Sequence, residues 1–377
     1  MNFRGICAYL IIILFLIGCQ ENKNNIKDKN ENKPIKIGVL LPLNYQSYGI
    51  DPLNGIKLAL SEMENKISSR NVELIVRDTE AQPAKGIDYI KELSSMGIQV
   101  IIGAAASNVS LALVPTANRD EIVLLSPISS ATELTKEGGP YFFRTAPADP
   151  AQTKILVEWM SEFKPKKIGI LFVDNTWGRG LADAAEKELR EIKCTVIRQK
   201  IANDNIVDFS NEITAFKNQK IDILFSPLYP KSAGLAVKQC FELGLNVPVF
   251  GADSWGSQEF LDGAGKYAEG AKFCVPGISS GNIYEKFVSE YKATYNSSPN
   301  FNAASAYDCM HLLAIATEKL LNDNKEFKGK YLKDYLLSTT FNGATGISKF
   351  DKNGDVVGKE FTKKIIRNGK FDFLIHE

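Results

Sequence analysis

Histidine is almost missing from this chain: there are two in 377 residues, His311 and His376. Cysteine is sparse as well. There are six, at Cys7, Cys19, Cys194, Cys240, Cys274 and Cys309, and none form a C-x-x-C pair. A zinc site therefore lacks its ligand set. There is no Gly-rich phosphate loop, and "DKNGD", Asp351 to Asp355, lacks the spacing and closing Glu of a calcium loop. Charge of one sign is missing too: 45 Lys and Arg face 44 Asp and Glu, a net +1. Without a basic stripe interleaved with aromatics, nucleic acid is not an expected partner. No metal and no cofactor are expected.

One long apolar run stands out, Ile6 to Ile17, "ICAYLIIILFLI". It follows Arg4, has signal-peptide length and is short for a membrane span. It ends in "LIGC", which resembles the bacterial lipobox. That resemblance implies a signal over residues 1–18, lipidation of Cys19, and a cell-envelope location outside the cytoplasm. An ordinary secretory signal with an incidental cysteine is the alternative. Residues 19–34 are polar, Asn- and Lys-rich and aperiodic, a composition that cannot bury enough to fold. They read as a tether with a reach of at most ~50 Å. Residues 1–18 contain one Arg and no acid, so the remainder carries 44 basic and 44 acidic residues.

From Ile35 onward strand-like and helix-like runs alternate. "IKIGVLLPL", "VELIVRD", "VIIGA" and "IVLLSP" are separated by helical stretches, the signature of a parallel sheet covered on both faces. The pattern restarts at Lys167 with "KIGILFVD" and continues through "CTVIRQKIA", "IDILFSP" and "PVFGAD". An α/β chain of two doubly wound parallel-sheet lobes with a cleft between them follows. A helix capped by Asp149, with Pro150 at its first position, follows the link "FFRTAPADP". Long amphipathic helices return after Asn282. The last stretch carries two Asn-Gly turns and reads as hairpin. Three crossovers are expected, with lobes of residues 35–147 plus 277–344 and 148–276 plus 345–377. Cys194, Cys240, Cys274 and Cys309 are expected to be buried and free.

Open α/β sheets bind ligands at the carboxyl ends of their strands. Polar and aromatic residues collect there: Tyr48-Gly49, Ser107, Ser126 to Thr135, Trp177-Gly178, and Asp253 after "VPVFGA". Each alone fits a turn or a helix cap. Together their chemistry fits a zwitterion. Ser107 at a helix start offers N–H groups and a hydroxyl to a carboxylate, and Ser129 and Ser130 add hydroxyls. Asp253 pairs with an ammonium. Tyr48, Trp177 and Trp255 wall an apolar side chain.

These segments, with "GAAAS", "LLSPISSATELT", "FFRTAPADPAQ", "DNTWGRGLADA", "GLNVPVFGADSW" and "AEGAKF", resemble the branched-chain amino-acid (Leu/Ile/Val)-binding family of periplasmic binding proteins. Those are the solute receptors of ABC transporters, with a type I periplasmic-binding-protein fold. The resemblance covers Ile35 to the C-terminus. It implies that Tyr48 lines the pocket, that Ser107 and Ser130 hold the carboxylate or ammonium, and that Ile128 offers backbone groups. It implies that Trp177 closes from the second lobe where the family often has Tyr, that Tyr229 makes a further contact, and that Asp253 takes the ammonium where many members have Glu. The implied partners are a small aliphatic amino acid, an ABC permease and a membrane reached through the lipid, with the chain a monomer. The chain departs at Ala81 and Ala106, where some members have a disulfide, and in the bulk of Ile128 and Trp177. Relatives bind amides, urea or aromatic acids.

Two other classes fit parts of the sequence. A ligand-binding sensor for a small amide or organic acid would use the same two lobes. "GISSG", Gly277 to Gly281, matches the nucleophile elbow of serine hydrolases, which also needs an acid and a His in order. His311 lies in an apolar helical stripe and His376 is penultimate, so no catalytic residue is expected.

Overall fold

Two runs of buried apolar residues, one opening each half of the chain, become the inner strands of two sheets. The computed structural model describes residues 33–278 and 282–373. Cys19 and the apolar leader, Ser279 to Gly281 of the elbow-like motif, and His376 lie outside the described residues.

The first sheet contains β1 (Ile35–Leu41), β2 (Lys66–Ile67), β3 (Arg70–Asp78), β4 (Val100–Gly103), β5 (Val123–Ser126) and β6 (Phe142–Arg144), in the order β2-β3-β1-β4-β5-β6. All pairs are parallel except β2 with β3. Helices α1 (Asp51–Glu62), α2 (Pro83–Ser95), α3 (Ser107–Arg119) and α4 (Thr132–Glu137) connect the strands. Strands covered on both faces read as unbroken apolar runs. Val39 and Leu41 face one core cluster and Leu40 the other.

The second sheet begins after α5 (Asp149–Ser161). It takes β7 (Lys167–Val173), α6 (Thr176–Glu191), β8 (Thr195–Ile201), α7 (Ser210–Gln219), β9 (Ile223–Ser226), α8 (Pro230–Glu242), β10 (Val249–Gly251), α9 (Gln258–Ala264) and β11 (Lys272–Pro276). The chain then returns to the first lobe with α10 (Asn282–Tyr295), α11 (Phe301–Asn322), α12 (Gly329–Leu337) and the hairpin β12 (Thr340–Gly343) and β13 (Gly346–Lys349). Tyr291, Ala303, Leu313 and Leu336 bury there. Finally β14 (Phe361–Arg367) and β15 (Lys370–Phe373) rejoin the second sheet, ordered β15-β14-β11-β10-β9-β7-β8.

Several expectations need correction. The third passage between lobes comes after Val356, not at residue 344, because Ala344, Phe350 and Val356 are buried in the first core. The second sheet is mixed: β14 and β15 run antiparallel at its edge. Of the two Asn-Gly turns, Asn368-Gly369 joins two paired strands, whereas Asn353-Gly354 closes only an isolated bridge, Phe350 to Val356. Asp149 is the first residue of α5 rather than its cap, and Ala148 precedes it with no side-chain cap. Cys194, Cys240, Cys274 and Cys309 are free and buried.

Candidate functional site

In each sheet the first strand in the chain lies between two later strands, so connections leave to opposite sides of it and a crevice opens beyond its carboxyl end. In the first sheet that strand is β1, between β3 and β4; in the second it is β7, between β9 and β8. The segment after β1 forms a π-helical turn, Gln46–Ile50, which carries Tyr48. Gly49 is required there, since a Cβ would sit 2.0 Å from the Pro42 carbonyl oxygen. The Tyr48 ring meets Tyr229 edge-on, with centroids 5.6 Å apart. Tyr229 stacks on Trp177 at 5.1 Å and 20°. Asn175 fixes both: its Oδ1 accepts from the Gly178 N–H at 2.9 Å, capping α6, and its Nδ2 donates to the Tyr229 hydroxyl at 3.1 Å. Tyr48 and Trp177, read as pocket walls, and Tyr229, read as a further contact, thus meet across the gap between lobes.

Gly251 ends β10 because the Trp255 indole lies over it; a Cβ there would be 1.9 Å from the ring. Trp255 is fully buried, stacks on Phe260 at 4.4 Å, and donates its Nε1 proton to the Ser226 carbonyl at 3.1 Å. It is therefore a core residue of the second lobe rather than a pocket wall. Its role is to fold the turn Asp253–Trp255 back on the strand, leaving Asp253 at the cleft. Asp253 lines a small cavity with Ser47, Tyr48, Ser254, Asn300 and Asn302, so residues of both lobes enclose it. Its Oδ1 accepts from Gln152 Nε2 at 3.3 Å and from the Ser254 N–H at 3.0 Å, and its own N–H donates to Gln152 Oε1 at 2.6 Å. Burial pushes its carboxyl up to about 6.

Asp149, read from the sequence only as a helix cap, and Gln152, not singled out at all, are neighbours of the site. Asp149 is 2% exposed. Gln152 Nε2 reaches its Oδ1 at 3.4 Å, and its N–H donates to the Ser130 carbonyl at 2.9 Å. Burial first, and then the charge of Asp253, raise its carboxyl to about 8, while the Ser130 hydroxyl bond pulls it down. The only available signal was the i, i+3 spacing of Asp149 and Gln152 on one helix face. Glu259 was also missed. From the second lobe it accepts from the Ser47 hydroxyl and from the Gln46 N–H, the latter at 3.2 Å.

The serines divide. Ser107 opens α3 with no side-chain cap, and its Oγ accepts from the Ala131 N–H at 3.3 Å. Ser130 lies beside Asp149. The Ser129 hydroxyl is used within its own lobe, on the carbonyls of Ala104 and Ala105 at 3.1 and 3.0 Å and on Ser110 at 2.8 Å. It stitches the loop and is not offered to the cleft. The Ile128 side chain packs with the first core, and its N–H points to Ser126 Oγ at 3.4 Å. His311 stacks on Phe341 and lies 3.3 Å from Glu62, within the first lobe.

The family model described as periplasmic binding protein matches residues 34–361. Over 334 residues the chain is 25% identical to the Leu/Ile/Val-binding protein BraC3 of Rhizobium johnstonii, covering 87% of this chain and 90% of the relative. It is similar, with a TM-score of 0.80 and 27% identity, to LivJ from Streptococcus pneumoniae, a branched-chain amino acid transporter substrate binding protein in complex with isoleucine; 90% of this chain and 98% of that one are covered. A solute binding protein of R. palustris in complex with benzoate shares the fold, with a TM-score of 0.82, 22% identity, and coverage of 90% and 95%.

Proposed function

The chain belongs to the periplasmic binding protein family, and on that premise we propose that it captures a small aliphatic α-amino acid between its two lobes for an ABC importer. The fold is the type I periplasmic-binding-protein fold. One observation carries the reading. Among the described residues Asp253 sits between the lobes held only by neutral donors, Gln152 and the Ser254 N–H. A desolvated carboxylate with no cation needs one, and an ammonium supplies it. Across the cleft, the uncapped start of α3 and the hydroxyls of Ser107 and Ser130 suit the ligand's carboxylate. Tyr48, Tyr229 and Trp177 then cover an apolar side chain. The identities of the Rhizobium and Streptococcus relatives favour a branched-chain amino acid. An aromatic acid, the ligand of the R. palustris protein, would offer Asp253 nothing of opposite charge.

Closure around the ligand, not turnover, is the functional event: each lobe contributes contacts, so ligand selects the closed state. Cys19 carries the lipid that tethers the domain outside the cytoplasm, and the chain works as a monomer. A thermal-shift screen against amino acids and organic acids tests the ligand class. Leucine, isoleucine or valine should raise Tm. A rise with organic acids alone would contradict the reading. Mass spectrometry of membrane-bound protein should find Cys19 lipidated; an unmodified Cys19 would remove the anchor from the account.

A further inference from the structure

Three segments carry the chain between lobes: residues 145–148, the stretch after Pro276, and residues 357–360. Unlinked, each would bend on its own. Backbone bonds tie the first-lobe ends of the first and third. The Arg144 N–H donates to the Gly354 carbonyl at 2.9 Å, and the Val356 N–H to the Arg144 carbonyl at 3.2 Å. Farther along, the Gly277 N–H donates to the Glu360 carbonyl at 2.7 Å and joins the second passage to the third. Between these ties stands Lys359. The residue is half-buried, and its ammonium turns inward. It donates to the Thr145 carbonyl at 3.0 Å and to Thr345 Oγ1 at 2.6 Å.

The receiving end belongs to the first lobe. Thr345 sits in the turn between β12 and β13, is buried, and donates its hydroxyl proton to Asp308 Oδ2. Asp308 is fully buried on α11 and also accepts from the Ala344 and Thr345 N–H groups, both at 2.8 Å. Burial pushes its carboxyl up, and the charge of Lys359 pulls it back. The Thr345 hydroxyl has one proton; given to the carboxylate, it leaves the oxygen's lone pairs for the ammonium. Thr145 is fixed on the same helix, its Oγ1 lying 2.8 Å from Ser305 Oγ and 3.1 Å from Cys309 Sγ. A buried charge persists where it is paired and hydrogen-bonded, and here the pairing reaches from a passage into the first core.

We propose that Lys359 is the pin of the hinge: its ammonium clamps the first passage to the third, and both to α11 through Thr345 and Asp308, so that the three passages bend as one strap. The free lengths are then short. Residues 146–148 remain between the pin and α5, and Glu360 alone between the pin and β14. Hinges place their φ/ψ change in a few residues at element ends, so the lobes turn about these. The inference goes beyond the ligand assignment, since it needs only that the lobes close.

The test is read on the purified chain without ligand, so the amino-acid reading can fail without touching it. Amide hydrogen exchange at Val356 and Gly277 reads how firmly the passages hold together. Lys359→Met keeps a long side chain without the ammonium. Thr345→Val removes the linking hydroxyl and keeps the shape, whereas Thr345→Ser keeps a hydroxyl. Lys359→Met and Thr345→Val should speed exchange at both amides at least about tenfold, with β1 and β7 exchanging as in the wild type. Thr345→Ser should exchange like the wild type. Small-angle scattering of Lys359→Met should give a larger radius of gyration, because unpinned passages let the lobes spread. Wild-type exchange at both amides in Lys359→Met would overturn the pin. Faster exchange spread equally over β1 and β7 would do the same, marking the lysine as a general stabiliser of the fold. Fast local exchange with an unchanged radius would overturn the claim that the pin governs lobe movement. If Lys359→Met fails to fold, the Thr345 variants decide, and equal exchange in the Val and Ser forms overturns the proposal.

Discussion

Asp253 is the residue on which the account turns. A hydrogen-bonded, desolvated charge pair that loses one member typically costs about 3–5 kcal/mol. Asp253→Ala should therefore weaken amino-acid binding by about two to three orders of magnitude or more, at about 1.4 kcal/mol per tenfold. Ser107→Ala should cost less, since the N–H groups at the start of α3 remain. A thermal-shift titration of both variants compares them, and equal losses would argue against the backbone's share. The same carboxyls set a pH dependence. Burial raises Asp253 to about 6 and Asp149 to about 8. An unfolded Asp titrates near about 4, so the folded chain holds these protons more tightly. Their contribution to stability is full below about pH 4 and is lost as pH rises through the folded values towards 8. The ligand-free Tm should fall from pH 5 to pH 8, and a rise over that range would mean these groups are not buried as described. Asp253 was legible because an acid following a strand-ending glycine is a recognisable pattern. Asp149 was not, since "ADP" reads equally well as a helix start. Nor could sequence separate Ser129 from Ser130: adjacent identical hydroxyls point different ways only once the loop is folded.

At the scale of elements, the β10 turn shows how a core residue can determine a site. Trp255 lies on Gly251 and thereby directs Asp253 to the cleft. Gly251→Ala would force a methyl into the indole, and overpacking of this kind costs about 1–3 kcal/mol. Chemical denaturation should register that loss, together with weaker ligand binding because the turn must shift. Unchanged stability would show that the indole can move aside. Asn175 acts similarly on α6, holding the helix start and the Tyr229 hydroxyl at once. Removing such a cap typically costs about 1 kcal/mol. The inner strands were legible as unbroken apolar runs, and the helices by their period. The third passage was not, because Phe350 and the pair Val356-Val357 are too few apolar residues to mark the short polar stretch "FDKNGDVV" as core-forming. Nothing local says that they reach back into the first core.

For the whole molecule, several contacts among the described residues join the two lobes. Tyr48 touches Tyr229, Glu259 binds the Ser47 hydroxyl and Gln46 N–H, and Gly277 and Glu360 pair their backbones at 2.7 Å where two passages run side by side. The first two contacts span the cleft, so under the proposed closure they favour the closed form even without ligand. Glu259→Ala should favour the open form, increasing the radius of gyration of the ligand-free protein in small-angle scattering; an unchanged radius would assign the contact no role in closure. Two lobes and a cleft were readable from the restarted strand–helix pattern, whereas the direct contacts across the cleft depend on the lobes' relative position, which no local pattern encodes. The central claim is that closure grips an ammonium. It is tested most directly by titration calorimetry of the wild-type chain with L-isoleucine and, separately, with the 2-hydroxy acid of the same carbon skeleton. The account predicts saturable one-to-one binding of the amino acid and none, or far weaker binding, of the hydroxy acid; equal binding of the two would contradict it.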